Sequence, residues 1–495
     1  MKMVKSLLLG SAAGLVAVAG AQAADLPVKA KPVEYVKVCS LYGAGFFYIP
    51  GTDTCIKLGG AVRVQAEFNT GAGGVPVGIG SATEAAQGLQ TRTATNDTNF
   101  RTRGYFSIDA RQQTEYGTLR SYFRFGVQQT TPVDGNSNSG VAFWDRAFIQ
   151  FAGFTVGRTV SFYDGVTWAD FGYNNPRTTF DSGANGVTLW AYTAQFGNGI
   201  SASLSAEDPN ARFRNVTQAV IAAPGLNLPA SNGLANQSAT NNGFLFPDVV
   251  GNLRVDQAWG SAQVMAAMHD ASGGYYGATN STGHPNNAFG WAVGGAFSIN
   301  LPSFGATSNV NSQPNVDQLK ASFSYGVGAV GYVTNMNGAS LLANGNTSFA
   351  FTQQTDGYYN TATGTAPQVQ FSTAWSAYGG YQHLWTPNWR TSLYGGYIAY
   401  TAPAQQKIDD GCATGLIGNC SDWHVWQVGT RTQWNPVSQL DIGVDVLYSK
   451  IGSELVGCAV PAACSTALPG HAGALTAADQ DVWSVMFRVQ RNFWP

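Results

Sequence analysis

The sequence predicts an all-β fold: a transmembrane antiparallel β-barrel of about 16 strands, with one loop folded into its lumen. Two observations carry this prediction. Apolar and polar residues alternate along most of the chain, and a strand turns successive side chains to opposite faces, so each segment has one apolar and one polar face. Short and long connections also alternate between these segments, which is typical of barrels that span a membrane.

The composition fits strands that separate lipid from water. Charged residues make up 11% of the chain, against roughly 25% in an average soluble domain. A hydrophobic content of 44% argues against intrinsic disorder. The net charge of −2 gives no basic footprint for a nucleic acid, so we expect no nucleic-acid partner.

The N-terminus has the pattern of a secretory signal peptide. Lys2 and Lys5 provide the positive start, residues 7–19 the apolar stretch, and Ala21-Gln22-Ala23 the small-residue cleavage site. A membrane anchor is the alternative, but the apolar stretch is short and interrupted by glycines. The chain is therefore divided into a signal peptide, a periplasmic lead-in and a transmembrane barrel, at residues 1–23, 24–55 and 56–495.

The C-terminal segment shows the alternation most clearly. Val485, Phe487, Val489 and Phe493 form an apolar row, and mostly polar residues lie between them. The same pattern predicts sixteen strands, an even number that places both chain ends on one side of a barrel. Their expected ranges are 56–68, 98–111, 117–129, 142–153, 154–160, 187–197, 199–207, 247–257, 260–269, 288–300, 317–331, 370–386, 388–400, 422–435, 438–450 and 480–493.

The connections predict the orientation of the barrel, with short turns in the periplasm and long loops outside. The long loops are rich in Gly, Asn and Ser and include 70–97, 208–246, 332–369 and 451–479. The connection at 300–317 departs from this scheme because it is too long for a periplasmic turn. Four tryptophans near turns or the C-terminal edge predict a girdle at headgroup depth, with a buried aromatic core as the alternative for each: Trp385, Trp389, Trp434 and Trp494.

Arginines are concentrated on the polar faces of the early strands. Each would cost several kcal/mol in a dry interior without a partner, and about 2–4 kcal/mol at the lipid midplane. A water-filled lumen removes both penalties, so the sequence predicts a pore with a basic wall. The candidate wall residues are Arg63, Arg101, Arg103, Arg120, Arg124, Arg146 and Arg158. Later strands carry few arginines, among them Arg390, Arg431 and Arg488, so the basic field is expected to be one-sided.

The segment 161–186 is the candidate constriction loop. It is too aromatic to lie free in water, which favours an inward fold, and an ordinary surface loop is the alternative. Asp164, Asp170 and Asp181 are its candidate acids, expected to face the arginines. Opposed acids and bases across a constriction would produce a transverse field that favours small polar solutes.

The six cysteines fall into three pairs that are close in sequence. Six cysteines allow 15 pairings, so the connectivity stays open. Short disulfide-closed loops are the simplest interpretation in an exported protein, and no pair has the C-x-x-C spacing of a zinc or redox site. The candidate disulfide residues are Cys39, Cys55, Cys412, Cys420, Cys458 and Cys464. We expect neither a metal nor a cofactor.

The block at 39–55, CSLYGAGFFYIPGTDTC, running into IKLGGAVR, resembles the opening of the alphaproteobacterial outer-membrane porins, the general diffusion porins. The resemblance implies a sixteen-stranded barrel that crosses the bacterial outer membrane, a homotrimer, and passive diffusion of small hydrophilic solutes and ions. By motif, Arg63, Arg103 and Arg146 match the family's basic wall, and 161–186 matches its constriction loop. The family's final strand ends in Phe, whereas here Phe493 is followed by Trp494 and Pro495.

Other classes of function leave distinguishable signals. A catalytic barrel would need a motif such as G-x-S-x-G, H-E-x-x-H or a Walker loop, and the sequence has none, so we do not expect an enzyme. A solute-specific channel or a non-conducting adhesin would have the same barrel. Conductance separates these alternatives.

Overall fold

The computed structural model describes residues 37–71, 75–76, 98–131, 140–183, 185–219, 237–239, 243–276, 283–301, 316–336, 340–342, 348–360, 368–409, 421–453, 465–467 and 474–493. The predicted signal peptide at 1–23 lies outside these ranges, as does most of the connection at 300–317. So do several residues singled out in the sequence: Cys412, Cys420, Cys458, Cys464, Trp494 and Pro495.

Sixteen antiparallel strands in the described residues form a closed barrel, as the sequence predicts. The last strand pairs with the first, so no sheet edge faces the lipid and the backbone polar groups are satisfied. The strands are Cys55–Phe68 (β1), Thr98–Thr114 (β2), Gly117–Thr130 (β3), Val141–Phe151 (β4), Phe154–Thr159 (β5), Val187–Gly197 (β6), Ile200–Glu207 (β7), Asp248–Gln257 (β8), Gly260–Asp270 (β9), Phe289–Leu301 (β10), Asp317–Val327 (β11), Thr373–Thr386 (β12), Trp389–Thr401 (β13), Trp423–Trp434 (β14), Leu440–Gly452 (β15) and Gln480–Asn492 (β16).

A glycine lies at the closing seam between β1 and β16. Ala61 lies opposite Asn492, and the pairing continues to Phe68 opposite Val485. Just beyond it, the Phe493 amide donates a hydrogen bond to the Gly60 carbonyl at 2.9 Å. A Cβ at Gly60 would clash with the Tyr105 carbonyl oxygen of β2 and would lie 2.5 Å from the Phe493 ring, so the backbone contact with β2 requires a residue without a side chain.

Side chains alternate across the wall as predicted. Outward-facing Phe100 and Phe487 are exposed, whereas inward-facing Gln65 and Asp445 are buried within the barrel. The exposed apolar row is the face that suits lipid.

Three of the predicted girdle tryptophans lie beside short turns. Trp385, Trp389 and Trp434 are all exposed, which excludes a buried aromatic core for them. The rings of Trp389 and Trp434 stack with centroids 5.6 Å apart. Amphipathic rings at this position suit the headgroup region.

The long loops interlock at the barrel end opposite the short turns. Loop L4 (residues 208–247) pairs with loop L6 (residues 328–372) through the parallel strands Val216–Ala219 and Gly357–Tyr359. L6 also pairs with the 453–479 loop through Ser348–Thr352 and Ala474–Ala477. The other short strands are Phe47–Tyr48, Thr70–Gly71, Val75–Pro76, Gln237–Ala239, Ser340–Leu342, Gln370–Phe371 and Ser465–Ala467.

Within the described ranges, helical structure is confined to single turns and one short helix. The 3₁₀ turns are Ser40–Tyr42, Trp168–Asp170, Pro209–Ala211 and Val330–Tyr332, and the α-helix is Ala404–Asp409. Among the described residues, no helix is both long and apolar enough to cross a membrane.

L6 enters the barrel where β11 ends, four residues earlier than predicted. β11 stops at Val327 because Gly328 adopts a φ of 64°, a left-handed conformation that ends the strand. The following segment turns inward, and its Val330 and Met336 pack against Ile398 on the inner wall. This side of the lumen is therefore filled near its outer mouth.

The outward direction of Phe487 predicts the effect of a charge at this position. We expect Phe487→Arg to reduce the yield of folded barrel, because an arginine near the lipid midplane costs about 2–4 kcal/mol. The fraction of heat-modifiable barrel on unheated gels, after refolding into lipid, measures this yield. Phe487→Leu is the matched control and should fold normally. An equal yield for both variants would contradict the assignment of this face to lipid.

Candidate functional site: the constriction of the lumen

Loop L3 (residues 160–186) connects β5 to β6 and lies inside the barrel, as predicted for 161–186. Near its start, the Ser161 hydroxyl donates to the Glu207 carboxylate of β7 at 2.7 Å. The Tyr163 hydroxyl shares a 2.8 Å hydrogen bond with Ser324 of β11. Since Glu207 and Ser324 are buried on the inner wall, the loop leaves β5 and follows the inside of the barrel.

The middle of L3 is bound by the far wall. The Asn174 amide donates to the Asp445 carboxylate of β15 at 2.9 Å, and the Arg177 amide donates to the Gln427 side chain of β14 at 2.7 Å. Inward-facing polar side chains thus accept hydrogen bonds from backbone N–H groups of L3, a loop segment that is not part of a sheet. L3 therefore crosses the lumen from β5 to the wall formed by β14 and β15.

The aromatic residues of L3 explain why the loop folds inward. Tyr163, Phe171 and Phe180 are almost fully buried. The Tyr163 ring makes edge contacts with Phe180 at 5.5 Å and with Tyr332 of L6 at 4.8 Å between centroids. L3 and L6 therefore share one aromatic core inside the barrel.

The strand register brings the predicted basic wall together. Arg63 of β1 lies directly opposite Arg103 of β2, and Arg124 of β3 lies opposite Arg146 of β4. Arg101 lies two residues from Arg103 and shares its face, since side chains on one face of a strand recur every second residue. These five arginines lie on the inner wall of β1–β4 as two groups four residues apart along the ladder, one on β1 and β2 and one on β3 and β4.

Two acids on the same wall neutralise part of this charge. Asp109 accepts hydrogen bonds from both Arg111 and Arg120, with closest distances of 2.7 and 2.9 Å. Asp145 forms a two-pronged ion pair with Arg124, at 2.7 and 2.6 Å. Charge-assisted pairs of this geometry are strong. These ion pairs therefore hold the side chains of Arg120 and Arg124 in fixed positions on the inner wall.

Asp145 reaches the lumen because of a β-bulge. Arg124 lies opposite Arg146 and Phe125 lies opposite Trp144, so Asp145 is the extra residue on β4. A bulge breaks the strict alternation of faces. Asp145 and its sequence neighbour Arg146 can therefore both have their side chains on the inner side of the wall. The sequence alternation alone does not predict this.

Arg146 and Arg158 hold the returning end of L3. An Arg146 guanidinium nitrogen donates to the Gly183 carbonyl at 3.2 Å, and Arg158 Nε donates to the Asn185 carbonyl at 2.7 Å. Arg158, whose same-face neighbours on β5 are apolar, thus lies beside L3.

The predicted loop acids contact partners other than the basic wall. Asp164 pairs with Arg212 of L4 at 2.6 Å, and Asp170 pairs with Lys320 of β11 at 2.8 Å. Asp181 accepts the backbone amides of Trp168 at 2.8 Å and Gly183 at 2.9 Å. The predicted role of these three acids across from the arginines stays a prediction, and the direct contacts are with L3 itself, L4 and β11.

Asp181 differs from the other two acids in its environment. Burial raises the pKa of Asp181 to about 7, and the negative charge of Asp164 adds to the increase. Asp170, in contrast, has a side chain that is 30% exposed. Asp170 is therefore the acid of L3 whose charge the lumen water meets most directly.

The basic wall continues across the closing seam onto β16. Arg488 of β16 lies opposite Gln65 of β1. Its guanidinium lies 4.1 Å from the centre of the Tyr173 ring in L3, and that of Arg431 lies 5.2 Å from the same ring. Arg431 also donates to the Asp170 carbonyl at 2.8 Å. Arg431 and Arg488 are among the few arginines expected on the later strands, and pairing of the last strand with the first places Arg488 beside the basic wall.

A disulfide links Cys39 to Cys55 at the start of β1, as the sequence allows. The closed loop carries Phe46, whose ring lies 4.9 Å from the Arg111 guanidinium. Cation–π contact of this kind fixes the loop against the inward face of β2. Within the described ranges, no group of three His, Cys, Asp or Glu side chains is arranged to hold a metal ion.

Comparison with known proteins identifies the family. A family model described as the porin subfamily matches residues 25–486. The chain belongs to this porin subfamily. Porin Omp2b of Brucella suis biovar 1 (strain 1330) and Porin Omp2b of Brucella abortus (strain 2308) are each 35% identical to it over 269 residues. The match covers 52% of this chain and 64% of each relative, so it spans less than two thirds of their length.

A solved porin-like structure agrees with the fold. The outer membrane channel DcaP of Acinetobacter baumannii superposes with a TM-score of 0.51 at 13% identity, over 90% of this chain and 99% of that chain. At this identity the similarity shows the barrel fold alone. Together with the family match, it confirms the resemblance drawn from the block at 39–63.

The buried Arg212–Asp164 pair predicts a mechanical role in holding L3. We expect Arg212→Ala to increase open-channel current noise and spontaneous closures, because losing one partner of a buried ion pair costs about 3–5 kcal/mol. Single-channel recording measures both quantities. Arg254→Ala is the control, because it removes the ion pair between Arg254 and Asp256. The two side chains of this pair are 35% and 54% exposed, and exposed pairs contribute about 0–1 kcal/mol to stability. Equal noise in the two variants would contradict the role of Arg212.

Proposed function

We propose that this porin forms a water-filled outer-membrane channel for passive diffusion of small hydrophilic solutes and ions. The observation that carries the proposal is a closed barrel whose inner wall still presents solvent-accessible arginines beside a folded-in loop. Guanidinium groups are unstable in a dry core, so this wall is compatible with a hydrated path. Membership of the porin subfamily favours a channel over an enzyme.

The exposure of the arginines supports a path along one side of the lumen. The side chains of Arg111 and Arg120 are 27% exposed, whereas Arg431 of β14, which contacts L3, is 3% exposed. L3 and L6 cover the inner faces of β11–β15, and the wall of β1–β5 keeps contact with water. We therefore place the solute path between that wall and the edge of L3.

Charges on both sides of this path give the channel its selectivity for polar solutes. The arginine wall supplies positive charge, and Asp170 supplies negative charge from L3. A field across a narrow aqueous path orients dipolar solutes and disfavours apolar ones. Asp164 and Asp181 act mainly by fixing the shape of L3 in this proposal, because their carboxylates are engaged by Arg212 and by backbone amides.

The same proposal extends to the membrane environment of the barrel, its oligomeric state and the organisation of the chain. The outward apolar face contacts outer-membrane lipid, and the family resemblance supports a homotrimer. The signal peptide at 1–23 and the periplasmic lead-in at 24–55 complete the proposed domain organisation.

Planar-bilayer recording of the refolded protein tests the channel. We expect stepwise currents that rise in proportion to salt concentration, and graded sugars should give the radius of the path. Currents that only one solute blocks would favour a solute-specific channel. Silence of a correctly folded barrel would reject the proposal and favour a non-conducting barrel such as an adhesin.

The different environments of the L3 acids predict different effects on ion selectivity. We expect Asp170→Asn to shift the reversal potential in a KCl gradient toward anion preference, because it removes a negative charge that is 30% exposed and leaves the positive charge of Lys320 without its partner. Asp181→Asn should leave the reversal potential nearly unchanged at pH 6, since a carboxyl with a pKa of about 7 is mostly protonated there. A larger shift from Asp181→Asn than from Asp170→Asn would refute this division.

A further inference from the structure

Five inward-facing arginines near the closing seam form no direct ion pair with a described residue, although Asp445 of β15 lies opposite one of them, Arg431 of β14. Among the described residues, no carboxylate oxygen lies within 4.0 Å of their guanidinium nitrogens, in contrast to Arg120, Arg124 and Arg212. We call this group the seam cluster, and its members are Arg63, Arg101, Arg103, Arg431 and Arg488.

The register places four of these arginines in two adjacent rows across β16, β1 and β2. One row contains Arg488, Gln65 and Arg101, and the next contains Gln490, Arg63 and Arg103. Residues directly opposite each other have Cα atoms about 4.5–5.5 Å apart. The positive charges are therefore concentrated on one small area of wall, with Arg431 on β14 beyond it.

Neutral groups, rather than acids, orient the seam cluster. Arg63 Nε donates to the Gln490 side-chain oxygen at 2.6 Å, and an Arg101 nitrogen donates to Gln128 at 2.5 Å. The Arg103 guanidinium lies 3.8 Å from the centre of the Phe143 ring. These contacts fix the guanidinium planes without cancelling their charge.

Part of the hydrogen-bonding capacity of the cluster is unused. In the part of the chain that the structure describes, the Nε atoms of Arg101, Arg103 and Arg488 are buried and have no acceptor. Arg101 and Arg488 are each 9% exposed. A buried donor without an acceptor is costly, so the hydrogen bonds within the protein do not fully satisfy these guanidinium groups.

Nearby acids are engaged elsewhere. The buried Glu67 carboxylate accepts hydrogen bonds from Gln65 at 3.2 Å and Thr70 at 3.3 Å, and Asp145 is paired with Arg124.

Asp445, opposite Arg431, accepts hydrogen bonds from the Asn174 backbone amide and the Tyr394 hydroxyl. The five arginines outnumber these nearby acids, so the cluster keeps a local excess of positive charge. Like charges this close repel each other strongly in a low-dielectric wall, and a bound anion would relieve that repulsion.

We propose that the seam cluster is a binding site for small multivalent oxyanions, with Arg63 and Arg103 making the first contact. This inference rests on the proposed channel function and adds a preferred solute class to it. Planar guanidinium forks match carboxylate and phosphate oxygens in pairs. Rings of arginine are a known basis of anion and phosphate selectivity in pores, provided that binding is weak enough for release.

The test combines conductance with equilibrium binding. Single-channel chloride currents are recorded at constant ionic strength while inorganic phosphate, or in a second series malonate, is increased. We expect both to reduce the current with saturation, and we expect the half-blocking concentration to rise about tenfold or more in Arg63→Gln and Arg103→Gln. Arg103→Lys, which keeps the charge but loses the fork, should fall between wild type and Arg103→Gln.

A matched control separates a local site from total charge. Arg491 is exposed on the outward face of β16, so Arg491→Gln removes one positive charge outside the lumen and should be blocked like wild type. Block by phosphate but not malonate would restrict the site to phosphate. Linear currents without saturation, or equal block in all variants, would overturn the seam site while leaving the channel intact.

Binding of phosphate to the detergent-solubilised barrel, measured by calorimetry, does not depend on conduction. We expect binding to wild type and its loss in the Arg63→Gln, Arg103→Gln double variant, with heat-modifiability confirming that the variant is folded. If wild-type protein binds phosphate but passes no current, the channel proposal fails and the site stands. Absence of binding in folded wild-type protein would overturn the site.

Discussion

Closure of the sheet is the constraint on which the rest of the structure depends. In lipid, every backbone N–H and C=O must form a hydrogen bond within the protein. Pairing of β16 with β1 provides these hydrogen bonds for the two strands that would otherwise be sheet edges. Gly60 lies at this seam, where a Cβ would meet both the Tyr105 carbonyl of β2 and the Phe493 ring. The pairing also determines the electrostatics of the lumen, since it places Arg488 beside the arginines of β1 and β2. One structural requirement thus sets both the stability of the wall and the charge of its inner face.

The lumen is divided into a filled side and a hydrated side by the loops that enter it. L3 is held by inward polar residues on opposite sides of the barrel: Glu207 of β7, and Asp445 and Gln427 of the neighbouring strands β15 and β14. L6 adds Tyr332 to the same aromatic core. Packing these loops against β11–β15 leaves the opposite wall as the hydrated surface. The position of the path is therefore a consequence of which wall offers partners to L3.

The sequence predicts the strands well because a lipid-facing wall enforces a period of two. Features that depend on breaking this period were not predictable. Asp145 is inward only because of a bulge, and β11 ends early only because Gly328 takes a left-handed conformation. Arg212 lies in a long loop without periodicity, so nothing in the sequence indicated its contact with Asp164. The aromatic character of L3 did predict its inward fold, whereas the partners of its acids depend on tertiary contacts.

The arginines of the lumen fall into two groups with different physical roles. Arg120, Arg124 and Arg212 form ion pairs with carboxylates, which neutralise their charge within the protein. Their main effect is therefore to fix the positions of the wall and of L3. Arg63 and Arg103 are oriented by an amide and an aromatic ring, which leave the charge uncompensated. Orientation without neutralisation costs stability, because aligned like charges repel. Because these arginine charges are not neutralised, they maintain an electrostatic field in the water beside the wall. That field acts on every solute that passes.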